Sequence, residues 1–238
     1  TTEIYTLSLH DALPIYVTWD HQVVWDYKTP DKTELQSATL LQNGGVLLGI
    51  CGVPAQFIEL DKKGKEVNKV TLNLEVERPH SQFRQVFQLR NSNYLIPVMA
   101  KQKVLEVNRK GKIIAEHQIE GKAFSSLELP DGNLLLPCGD NHCYIVIDRK
   151  TGEELKRVNV LDIEGVALLF VGQILQLKNG NLLICNWYGH TKDTTVDEPQ
   201  LIEIDKNGKV VWSLHDKKNV GKISAACYID NFRLPNLK

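Results

Sequence analysis

The sequence predicts an all-β fold, a β-propeller of four-stranded antiparallel blades, and three observations predict it. Short turns recur at Asn43-Gly44, Asn91-Ser92, Asp131-Gly132 and Asn179-Gly180, 48, 40 and 48 residues apart (91−43, 131−91, 179−131). A second turn follows each of them: Lys63-Gly64-Lys65, Lys110-Gly111-Lys112, Thr151-Gly152 and Asn207-Gly208-Lys209. The runs between turns alternate apolar and polar residues, as half-buried strands do. A period of about 40 to 50 residues with four short strands per unit is the mark of a propeller, whose blades bury both faces against their neighbours.

The fullest copy runs from Gln176 to Trp212, QLKNGNLLICNWYGHTKDTTVDEPQLIEIDKNGKVVW. Asn-Gly between alternating runs predicts a two-residue type I′ hairpin, in which both central residues take φ > 0. Whole blades are expected from about Leu35 to Leu74, Gln82 to Ile119, Ala123 to Val160 and Val171 to Leu214. Partial blades flank them. Residues 16–28 give a strand, an Asp20-His21 turn and QVVWDYK, and ISAACYI (Ile223 to Ile229) reads as the innermost strand of a further blade. Completing the first blade suggests a ring of six, and five or seven blades fit the sequence nearly as well. Asp162 to Phe170, DIEGVALLF, interrupts the meander and is expected to form a turn of helix.

Thr1 to Ile15, TTEIYTLSLHDALPI, does not share the pattern and resembles the translation of a short-read sequencing adapter. It is set aside as non-native. Residues 16–238 then form one domain truncated at its N-terminus, with no linker or low-complexity stretch dividing it.

VIDRKTGEELKR (Val146 to Arg157) and EIDKNGKVVW (Glu203 to Trp212) carry an Asp, a Gly-centred turn and, in the second, a Trp four residues after the Gly. This resembles the blade repeat of quinoprotein-like (PQQ-like) propellers, in an uncharacterised bacterial branch. The resemblance spans all four repeats and implies a structural motif that fixes the turn and packs blades together, with Trp212 and Trp25 at the aromatic position. It implies the fold and an exported protein, periplasmic or extracellular. The vicinal cysteine pair of the quinone enzymes is absent, so PQQ is not expected, and fold alone does not assign a cofactor.

Composition excludes several classes. The chain is 42% hydrophobic and 24% charged with a net charge of −1, and no apolar run nears the ~20 residues of a membrane span. Lys and Arg are scattered over the second turns (Lys62, Lys63, Lys65, Lys110, Lys112), a solvated pattern that does not bind nucleic acid. The five cysteines, Cys51, Cys138, Cys143, Cys185 and Cys227, lack zinc-ribbon spacing and read as small buried hydrophobes, although Cys138 and Cys143 can meet across the loop CGDNHC.

In a meander of strands A to D, the A-B and C-D turns share one face, and the B-C loops and D-A connections share the other. The first face holds tight turns. The second holds longer polar segments: CGVPAQ (Cys51 to Gln56), ERPHSQFRQ (Glu77 to Gln85), CGDNHC, DIEG (Asp162 to Gly165) and NWYGHTKDTTVDEPQ (Asn186 to Gln200). Function concentrates on such loops. The residue six before each A-B turn is polar in every copy (Ser37, Gln85, Ser125, Gln173), which predicts a polar ring at the mouth of the channel.

The candidate site is therefore His80, Arg84, Gln85, Asp140, His142, Glu164, Gln173, Asn186, Trp187 and His190. On one reading these residues only tie loops together. On another they bind a small polar or anionic ligand such as a sugar, with Arg84 as a charged fork, Trp187 as an apolar platform, and Asn186, Gln85 and Gln173 for hydroxyls. A third reading is a metal-assisted hydrolase or lyase. There His80, His142 and His190 with Asp140 or Glu164 hold a divalent metal, or a His acts as general base beside Arg84. A fourth is a scaffold whose loop face docks a protein partner. Binding is preferred with no cofactor, because the repeats specify scaffold and no Gly-x-Ser-x-Gly nucleophile motif is present.

Overall fold

A computed structural model of the chain describes residues 15–17, 23–190 and 197–226. The Asp20-His21 turn, Cys227 and all but Ile15 of the segment set aside on sequence grounds lie outside them. The expected tail strand is described only over 223–226, where no strand forms.

The described chain is all-β, of the β-propeller class, with one short α-helix, Lys217–Val220, and two 3-10 turns, Pro79–Ser81 and Met99–Lys101. A two-stranded ladder of β1 (Ile15–Val17) and β2 (Val23–Asp26) comes first. Four antiparallel sheets of four strands follow. Sheet 1 is β3 (Glu34–Leu40), β4 (Val46–Cys51), β5 (Ala55–Leu60) and β6 (Glu66–Leu72). Sheet 2 is β7 (Phe87–Gln88), β8 (Tyr94–Val98), β9 (Lys103–Val107) and β10 (Ile113–Gln118). Sheet 3 is β11 (Leu127–Glu128), β12 (Leu134–Pro137), β13 (Tyr144–Ile147) and β14 (Glu154–Val158). Sheet 4 is β15 (Phe170–Gln176), β16 (Leu182–Trp187), β17 (Leu201–Ile204) and β18 (Val210–Leu214). In each sheet spatial order follows chain order, the meander expected from the repeat.

The turns are where the sequence expectation and the structure part. Gly44 N–H donates to Leu41 C=O and Leu41 N–H to Gly45 C=O, and the same pair of bonds recurs around Ser92, Gly132 and Gly180. These are three-residue loops closed by a bulge, not type I′ hairpins. The left-handed residue is Gly44 (φ 82) or Ser92 (φ 67), not the Asn before it. The Asn or Asp has another task. Asn43, Asn91, Asp131 and Asn179 each accept, through Oδ1, the backbone N–H two residues on. The C-D turns work similarly: Asp61 Oδ1 accepts from Lys63 and Lys65 N–H, Asn108 from Lys110 and Lys112, and Asp205 from Asn207 and Lys209.

A further expectation is corrected. Residues 162–169 form turns and irregular chain rather than a helix, held by Asp162 N–H to Asn159 C=O and Val166 N–H to Ile163 C=O. Buried Asn186 engages this segment from the side, accepting from Leu169 N–H and donating to Ala167 C=O, which leaves these groups unavailable for a helical ladder. Trp212 stands on the outermost strand of sheet 4, 47% exposed.

The described chain divides into two compact units. The first comprises the described residues up to Lys101 with Leu105–Glu116, and the second Gln102–Val104 with those from His117 on. Leu47, Phe57, Phe83, Tyr94 and Ile96 lie in the core of the first; Leu135, Tyr144, Val171, Ile184 and Ile202 lie in that of the second. In the first unit Glu59, buried on β5, accepts both Nε and Nη2 of Arg109 and the hydroxyl of Tyr94.

Candidate functional site

In the second unit the loop after β12 meets the end of β16. Gly139 forms an antiparallel bridge with Val171, and its left-handed φ of 53° suits the close approach, since a Cβ there would lie 2.3 Å from Lys122 C=O. His142, also left-handed, bonds through Nδ1 to the Leu169 carbonyl. These contacts fix the turn of Gly139–His142 against the entrance to β15.

Across from that turn stands an aromatic group. Phe170 and Trp187 meet edge to face at 5.2 Å, Phe124 packs 4.4 Å from Phe170, and the His190 ring is 4.6 Å from that of Trp187. Such pairings add to area burial through complementary ring edges and faces. Gly189 allows the arrangement: a Cβ there would fall 1.8 Å from the indole. At the exposed margin His190 Nδ1 is 3.0 Å from Asp140 Oδ1, and Lys122 Nζ is 3.5 Å from Asp140 Oδ2. An ammonium, a carboxylate and an imidazole therefore border the half-buried ring of Trp187, with Phe170 and Phe124 buried behind it.

Asn186 and Gln173, also predicted in this unit, bond within the chain. Asn186 is fully used, its Nδ2 also reaching Pro199 C=O. Gln173 Oε1 accepts from Ala226 N–H, and Ser125 Oγ donates to Gly172 C=O. Ser37 does the equivalent in the first unit, accepting from Val86 N–H. At Ser37, Ser125 and Gln173 the polar position six before the A-B turn thus stitches an inner strand to the chain about one repeat later. Glu164 is exposed.

In the first unit His80 Nδ1 lies 3.0 Å from Glu34 Oε2, and Arg84 Nη2 lies 2.9 Å from His80 Nε2. Arg84 Nη1 donates to the carbonyls of His80 and Phe83. The fork expected to receive an anion is thus engaged within its own loop, and burial holds the guanidinium below its ordinary range. Gln85 is half-buried and its Oε1 has no hydrogen-bond partner. His80, Arg84 and Gln85 belong to the first unit, and the remaining candidates to the second. Among the described residues no three His, Cys, Asp or Glu side chains stand close enough to share a metal ion.

Lys122, Phe124, Phe170 and Glu34 were not anticipated. Phe124 and Phe170 were legible only as strand-end hydrophobics, and Lys122 and Glu34 as ordinary surface charges.

Sheets, registers and inter-strand locks define a protein of the β-propeller class, with polar loops gathered over an aromatic cluster. Residues 6–209 match the profile of a family described as Mal s 1 allergenic protein-like, and the chain belongs to that family. The match begins inside the segment set aside on sequence grounds. Among solved structures, a protein of unknown function from Bacteroides caccae is 39% identical, with a TM-score of 0.86 over 91% of this chain and 79% of that one. Virginiamycin B lyase from Staphylococcus aureus is 15% identical (TM-score 0.55; 84% of this chain, 62% of that one). The Neurospora crassa Pan2 WD40 domain is 11% identical (TM-score 0.60; 90% and 64%). The last two bear on the fold alone. None of these descriptions names a quinoprotein. No curated protein sequence matches the chain.

Proposed function

We propose that the chain is a binding protein for a small polar molecule, a carbohydrate or related polyol, received by the loop cluster of the second unit. The observation that carries this reading is the juxtaposition of the half-buried Trp187 ring, backed by buried Phe170, with Lys122, Asp140 and His190. Sugars offer C–H faces that pack on aromatic rings and hydroxyls that both donate and accept. A carboxylate, an ammonium and an imidazole beside an apolar wall supply the complementary groups. For an acidic sugar Lys122, exposed beside Asp140, rather than Arg84, supplies the cation of this site.

The test is calorimetric titration and thermal shift with neutral and acidic mono- and oligosaccharides. Binding is expected for wild-type protein and is lost in Trp187→Ala and Asp140→Ala. Sugars that fail to shift the wild-type melting temperature, or a shift that survives Trp187→Ala, defeat the reading.

A second reading, a hydrolase or lyase, is favoured by the Asp140–His190 pair. A carboxylate on Nδ1 sets the imidazole tautomer and makes Nε2 the basic nitrogen, as general bases and metal ligands require. It predicts turnover of a bound sugar that His190→Gln abolishes. Its metal-assisted form also predicts stoichiometric metal and a melting temperature lowered by EDTA.

A further inference from the structure

We propose that Cys138 and Cys143 form an oxidisable dithiol that peroxide closes to an intramolecular disulfide, a modification site at the base of the Gly139–His142 turn. The residues pair across the extension of β12 and β13. Pro137 stands opposite Tyr144, so the next positions outward are Cys138 and Cys143, and Cys138 N–H donates to Cys143 C=O at 2.9 Å. Cα atoms directly opposed in an antiparallel ladder are about 4.5–5.5 Å apart. That is within the span of about 4.4–6.8 Å that a disulfide bridges, so closure needs side-chain rotation and little backbone movement.

Both thiols are free and buried, on directly opposed positions of the ladder. Cys138 S–H donates to Leu136 C=O, 3.6 Å away. Arg157 Nη1 donates to Cys143 Sγ at 3.7 Å, while its guanidinium is held by Glu154 and Glu120. The Cys138 hydrogen bond first, then the Arg157 charge, hold the Cys143 thiol below the usual range against the opposing effect of burial. Burial, the largest effect at each, pushes Cys51, despite the Arg84 charge beside it, and Cys185 up to about 12. One cysteine is thus poised as a thiolate nucleophile with a second placed to resolve it.

Burial selects a small oxidant. Cys143 thiolate attacks one oxygen of hydrogen peroxide, the O–O bond breaks, and the departing hydroxide takes a proton and leaves as water. The Cys143 sulfenic acid is then attacked by Cys138 sulfur, whose proton leaves with the displaced hydroxide as a second water. The two thiols lose two electrons in all, and the peroxide gains them.

The experiment exposes the native protein to hydrogen peroxide, alkylates remaining thiols after denaturation, and maps peptides by mass spectrometry without reduction. A Cys138–Cys143 linkage is expected, reversed by dithiothreitol, with Cys51 and Cys185 alkylated. Arg157→Gln, verified as folded by circular dichroism, should form the linkage roughly tenfold more slowly. Cys138 and Cys143 still separately alkylated after peroxide, or Cys51 or Cys185 oxidised first, overturns the proposal; the wild-type protein alone decides this.

Discussion

Arg84 Nη2 stands 2.9 Å from His80 Nε2, and a guanidinium has only hydrogens to offer there. His80 Nε2 must therefore accept, so Nδ1 carries the hydrogen and donates to Glu34. The three side chains form one directed chain, Arg84 to His80 to Glu34, in which Arg84 also secures two backbone carbonyls. Arg84→Ala should cost about 2–3 kcal/mol, read from urea unfolding, without removing sugar binding at Trp187. An unchanged midpoint would show that Arg84 is dispensable to its loop.

Glu59 is buried and accepts from Arg109, Tyr94 and Gln88. Arg109→Ala removes its formal counter-charge and should destabilise by about 2 kcal/mol, the scale of a charge-assisted bond. Arg109→Lys restores the charge without the two-pronged geometry and should recover only part of that loss. Equal stability of the two variants would refute the geometric part.

Buried Tyr94 and Tyr144 govern the alkaline limit. Burial, and for Tyr94 next the Glu59 hydrogen bond, push both phenols up to about 12 from 10.0. A folded pKa above the unfolded one gives stability that is complete below pH 10 and is lost as pH rises towards 12. The free energy of unfolding should fall across that window, and in Tyr94→Phe it should fall less steeply. A slope unchanged by the substitution would count against Tyr94 as a contributor.

At the acid end Asp61, Asp148 and Asp205 are held below the usual range, chiefly by backbone N–H bonds in the C-D turns. Depressed carboxylates give stability present above their unfolded pKa and lost as pH falls from there through the folded value. Asn108 makes the same two bonds without a charge. Asp61→Asn should thus be nearly neutral at pH 7 and flatten the acid limb of the stability curve, whereas Asp61→Ala should destabilise at both pH values.

Gly189→Ala places a methyl where the indole of Trp187 lies, 1.8 Å away. The ring must swing out, costing about 1–3 kcal/mol and separating it from Phe170 and His190. Tryptophan fluorescence should shift to the red and sugar binding should weaken. An emission maximum identical to wild type would mean that the strand end yields instead.

Much of the fold was legible because the turns punctuate it. The first turns, the Lys-Gly and Asn-Gly second turns, and the alternating runs before them place β3 to β18 within a few residues of their observed ends. Turn type was not legible. Asn-Gly serves a type I′ hairpin and a bulged three-residue loop equally well, and the choice depends on strand register, which a single strand's sequence does not carry. The candidate site was legible as loops but not as roles. Asn186, Gln173, Trp187 and Arg84 are polar or aromatic residues in the right segments, and their composition does not distinguish a ligand contact from a stitch to a neighbouring loop.

The sequence by itself determined an all-β chain of four repeated meanders, because turn chemistry and alternation act within a few residues of one another. Which of its polar side chains are spent on the scaffold was decided only by tertiary structure. Ser37, Ser125 and Gln173 find their partners 47 to 53 residues further along, and Asp140 meets His190 across 50. Such pairings arise when separate sheets dock, and whether a hydrogen bond is satisfied by the chain or left for a ligand is a property of that docking.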